Sequence, residues 1–185
     1  KVSFYTALEL PVAERFGNTL AIDVVTVAQR FYETHEDSYD YLVMFNNMDI
    51  PAMSGGVIAY ESTVRSSGAG YGVPPRDDGA EYGSASRLQA VLNMGNLSQF
   101  PKDPNAIVPA RAAAGDTPLT TIAHETGHLF LAYASVPDPD DPTAAPMLGF
   151  QKAHWSFVFN SEASLLEGER ILDRGLSASP RFITT

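Results

Sequence analysis

The chain has 185 residues, 44% of them hydrophobic and 18% charged, which is the make-up of a single globular folding unit and not of a disordered segment. Its formal charge of −10 would repel a phosphate backbone, so nucleic acid is excluded as a partner. Apolar stretches such as 20–28 fall short of the ~20 residues that a membrane span needs, and the absence of cysteine leaves only His, Asp, Glu or Tyr to build a metal site.

The sequence begins at Lys1 with no basic n-region and apolar h-region of its own, so the expectation is either a cytosolic chain or one that starts after a removed signal. Residues 2–8 are strand-like. Pro11 stands where a helix can begin, and Phe16, Leu20, Val24, Val27 and Phe31 recur at helical spacing, which predicts one long amphipathic helix over 11–35. The aromatic and β-branched run 39–45, followed by Asn46-Asn47, predicts a buried strand. Residues 55–83 are rich in glycine and serine around Pro74-Pro75, the composition of an irregular loop region with an edge strand near 57–60.

Residues 88–94 alternate as a further strand, and 101–109 is a proline-punctuated connection. Asp116 or Thr117 can cap a helix with Pro118 in its first turn, and Leu119, Ile122, Ala123, Leu129, Phe130 and Tyr133 carry its apolar pattern to about 134. Four prolines and three aspartates within 136–146 then force a surface loop. Residues 155–159 are strand-like, and 161–172 fit either a helix opened by Ser161 or two short strands around Gly168. With no internal repeat and no dividing linker, a single domain over 1–185 is expected.

The chemistry of the chain concentrates in His124-Glu125-Thr126-Gly127-His128. Positions i and i+4 share a helix face, so the two imidazoles project side by side and form half of a tetrahedral Zn²⁺ site. Glu125 is carried to the rim of that site, where a carboxylate can act as general base on a metal-activated water. At this composition a chance match to such a pattern is expected roughly 0.005 times, and the match falls inside an amphipathic helix that ends at a loop.

Two candidates compete for the third ligand. His35 lies near the end of the first predicted helix beside Glu33 and Glu36 and reads as an exposed helix-terminal residue. That leaves His154 as the third imidazole, 26 residues after His128 and behind the Pro/Asp loop that could fold back to present it. The other candidate is a glutamate from a second helix, Glu162 first and Glu167 behind it. The plainer alternatives are a part-buried histidine packed beside Trp155 and a carboxylate at a helix N-terminus.

The five-residue motif resembles that of the zincin metallopeptidases. Leu131 and Ala134 stand where the metzincin pattern requires Gly and His, so that subclass is excluded. The segments 39–45, 86–94, Ala153-His154-Trp155-Ser156 and 164–168 also resemble a little-characterised group of secreted bacterial HExxH proteins. The resemblance favours His154 over Glu162 and implies an α+β, zincin-like domain. It implies a twisted mixed sheet, a long N-terminal helix and an active-site helix, with an edge strand lining the cleft. If 88–94 is that edge strand, an extended peptide could add to it; a buried strand without such a role fits the pattern equally.

The resulting expectation is a secreted zinc peptidase acting on peptide or protein substrates. His124, His128 and His154 would bind one Zn²⁺, with Glu125 catalytic. Its rivals are a non-catalytic zinc-stabilised binding or adhesion module and a zinc hydrolase of a non-peptide amide. Asp138, Asp140 and Asp141 read as a solvated turn and not as a Ca²⁺ site, because the EF-hand spacing is absent. Tyr60, Tyr71, Tyr82 and Tyr133 are possible oxyanion donors, none of them singled out. The Gly68-Ala69-Gly70-Tyr71-Gly72 run lacks the spacing of a nucleotide-binding loop.

Overall fold

The computed structural model describes residues 15–16, 19–67, 75–129, 139–141, 148, 154, 169–172 and 181–184. The chain divides into two compact units, one of Lys1–Ser67 with Pro75–Gln99 and the other of Gly68–Pro74 with Phe100–Thr185. Helices and a small mixed sheet make it an α+β protein.

In the first unit, β1 (Arg15–Phe16) and β2 (Thr19–Leu20) pair antiparallel, and α1 spans Val24–Tyr32. The helix expected over 11–35 is therefore shorter at both ends. Phe16 and Leu20 fit a helical period, but each lies in a strand, Phe16 paired with Thr19 and Leu20 with Arg15. The helix starts where Asp23 supplies a cap, its carboxylate accepting from the Thr26 N–H at 3.0 Å and the Thr26 hydroxyl at 2.6 Å. Val24, Ala28 and Phe31 on α1 bury against Leu42, Val64, Tyr82, Leu88 and Val91 to form the core of this unit.

Strands β3 (Tyr41–Asn46), β4 (Tyr60–Thr63) and β7 (Ala90–Asn96) form a three-stranded sheet in the order β3-β7-β4. β3 runs parallel to β7 and β4 antiparallel to it. One expectation changes here, and one open alternative is decided. β3 is half-covered and not buried, with Val43 and Phe45 each more than 40% exposed. β7 is the middle strand, its Val91, Leu92 and Met94 without exposure, so both of its edges are already hydrogen-bonded and it cannot take up a peptide. Among the described residues the antiparallel edge is β4, which begins at the last residue of the strand expected near 57–60 and runs on to Thr63.

Beyond β4, β5 (Arg65–Ser66) pairs antiparallel with β6 (Arg76–Asp77). Arg65 is the polar centre of the unit. Its Nη1 donates to Ser84 Oγ at 2.9 Å and to the Leu88 carbonyl at 2.8 Å, its Nη2 donates to the Ser84 carbonyl at 2.8 Å, and its Nε lies 2.8 Å from Asp77. Ser84 in turn donates to Asp37, which also accepts the Ser86 and Arg87 N–H groups. Burial pushes the Asp37 carboxyl up, but the bonds from Ser86, Ser84 and Arg87, with the Arg65 charge, outweigh it and hold the group below the usual range.

The second unit contains α2 (Pro118–His128) and an antiparallel pair, β8 (Glu169–Leu172) with β9 (Arg181–Thr184). Thr117 caps α2 in a reciprocal box: its hydroxyl accepts the Thr120 N–H at 3.2 Å and its own N–H donates to Thr120 Oγ1 at 2.8 Å. Asp116, the other possible cap, instead holds Arg111 at 2.7 Å, while its carbonyl accepts the Val108 N–H at 2.8 Å. Pro118 occupies the first turn as expected. Leu129 is the C-cap, and residues 130–134, over which the helix was expected to continue, lie outside the described residues.

β8 decides against a helix running through 172 and leaves a strand after Gly168. Asp140 and Asp141 are exposed and irregular, as a solvated turn would be. The strand-like segments 2–8 and 155–159, Asp138 and the Gly68–Gly72 run lie outside the described residues.

Candidate metal centre

His124 and His128 sit one turn apart on α2, and their Nε2 atoms are 3.1 Å apart. His154, contributed by a separate segment, brings its Nε2 to 3.0 Å from that of His124. The ligand atoms of all three lie within 4.8 Å of one another, and the ring centroids form a near-equilateral triangle with sides of 4.8, 4.9 and 5.0 Å. Three imidazoles thus converge on one point.

This arrangement can be tested against the size of an ion. Zinc–nitrogen bonds of about 2.05 Å in a tetrahedron place ligand nitrogens about 3.3 Å apart. The two contacts made by His124 come within a few tenths of an ångström of that, and the His128 and His154 ligand atoms lie within 4.8 Å of each other. The three histidines are close enough to bind a metal ion. Imidazole donors alone suit zinc, copper, iron and nickel, so the donor set does not by itself select zinc.

Electrostatics favours the ligand form of the third histidine. Burial, followed by the neighbouring His124 and the charge of Arg111, pushes the His154 imidazole down to about 4. A ring that stays neutral at ordinary pH keeps a lone pair available for a metal.

Glu125 is 6% exposed and places a carboxylate oxygen 3.9 Å from His128 Nε2. It is one of two buried residues of α2, the other being Thr121, whose hydroxyl donates to the Thr117 carbonyl at 2.9 Å. The Glu125 carboxylate is thus buried beside the imidazole cluster.

The structure therefore brings together His124, Glu125, His128 and His154. Glu162 and Glu167, the competing ligands, lie outside the described residues. His35 belongs to the other unit, stacked on Phe31 at 4.2 Å with its Nδ1 beside the Phe31 carbonyl and the Thr34 hydroxyl, a helix-terminal role. Of the tyrosines, Tyr82 is buried with its hydroxyl 3.0 Å from Ser62 Oγ and is a core residue; Tyr71 and Tyr133 lie outside the described residues. Arg111, whose charge acts on His154, is not singled out by the sequence, because nothing in local spacing links it to a residue 43 positions away.

No protein-family model matches this chain, and neither does any curated protein or solved structure.

Proposed function

We propose that the protein is a zinc-dependent peptidase of zincin type, cleaving within peptide or protein chains, with His124, His128 and His154 holding the ion. The observation that carries this reading is the meeting of three imidazoles from two separate segments beside a buried Glu125. A bound Zn²⁺ supplies Lewis acidity, which activates water at neutral pH and polarises a carbonyl. Glu125 then takes the proton of the attacking water and returns it to the leaving amine as the C–N bond breaks. Its burial against the imidazoles keeps that proton from bulk solvent.

Catalysis is preferred over a purely structural clip because a clip has no use for a buried glutamate next to its ligands. Secretion and a single catalytic domain over 1–185 belong to the same proposal and rest on the resemblance and on composition.

The test is Glu125→Gln, which keeps shape and removes the base. Its zinc content should match wild type while hydrolysis of a fluorogenic peptide library falls by about 10² or more, the usual scale of general-base loss. Undiminished turnover in a zinc-loaded Glu125→Gln protein would contradict the mechanism.

A further inference from the structure

We draw no further inference here: the strongest candidate, the part-buried Arg111 guanidinium held by Asp116 on the loop that enters α2, is tied to the histidine cluster only through its electrostatic effect on His154, which belongs to the site already described and indicates no ligand of its own.

Discussion

A Cβ on Gly79 would overlap the Nη2 and Cζ atoms of Arg65, so Gly79→Ala cannot be accommodated with the guanidinium in place. Gly79 does not have the left-handed backbone that strains other residues, and on conformational grounds alone the substitution would be neutral or slightly stabilising. The whole effect must come from expelling Arg65. Three charge-assisted hydrogen bonds are lost, to Ser84 Oγ, the Ser84 carbonyl and the Leu88 carbonyl, together with the ion pair to Asp77. The ion pair counts for little because the Asp77 side chain is 71% exposed.

Each charged bond contributes about 1.5–3 kcal/mol net, but the three share one group and the displaced guanidinium regains water, so a loss of about 3–5 kcal/mol is expected. That is a large part of the ~5–15 kcal/mol that holds a domain folded. Urea unfolding followed by far-UV circular dichroism measures the loss. Hydrogen exchange at the Val64 and Arg65 amides, both bonded to the Gln89 carbonyl, localises it. In an Arg65→Ala background the same Gly79→Ala change should cost less than about 0.5 kcal/mol. An equal cost in both backgrounds would refute the steric account.

Two further predictions concern stability. Burial pushes the Glu61 carboxyl up to about 7 from an ordinary 4.5, with the Thr63 hydroxyl and Arg76 opposing only in part. Because the folded state then holds the proton more tightly than the unfolded one, Glu61 supports stability fully below pH 4.5, and that support is lost as pH rises through 7. The shift corresponds to at most about 3 kcal/mol, reduced to about 1–2 kcal/mol by solvent at this part-exposed position. Glu61→Gln should flatten the decline in the urea midpoint between pH 5 and pH 8, and an unchanged decline would rule Glu61 out as its source. Thr117→Ala removes the capping box of α2 and should cost about 1 kcal/mol in thermal unfolding, whereas no change in Tm would mean that the box contributes nothing.

The histidine cluster was legible in the sequence because the helix period alone places His124 and His128 together, and because a chain with four histidines and no cysteine offers few other candidate ligands. Thr117, Pro118 and the residues of the first turn also marked the start of α2, since capping is local chemistry. The start of α1 was not legible: Phe16 and Leu20 suit both a helix and a paired strand, and only the position of the Asp23 cap separates the two. The place of β7 in its sheet was likewise hidden. Alternation shows that a strand forms, whereas its neighbours on either side are set by long-range pairing with β3 and β4. The Arg65 network is also non-local, joining Asp37, Gly79 and Ser84 across a fold that no spacing rule connects.

Zinc stoichiometry and affinity, measured by elemental analysis and chelator competition on wild type and His154→Ala, test the central claim most directly. The three-histidine centre predicts one zinc per wild-type chain and at least ~10²-fold weaker binding in the variant, because two helical imidazoles alone leave the tetrahedron half built. Zinc held by His154→Ala with wild-type affinity, or a wild-type protein that binds none, would contradict it.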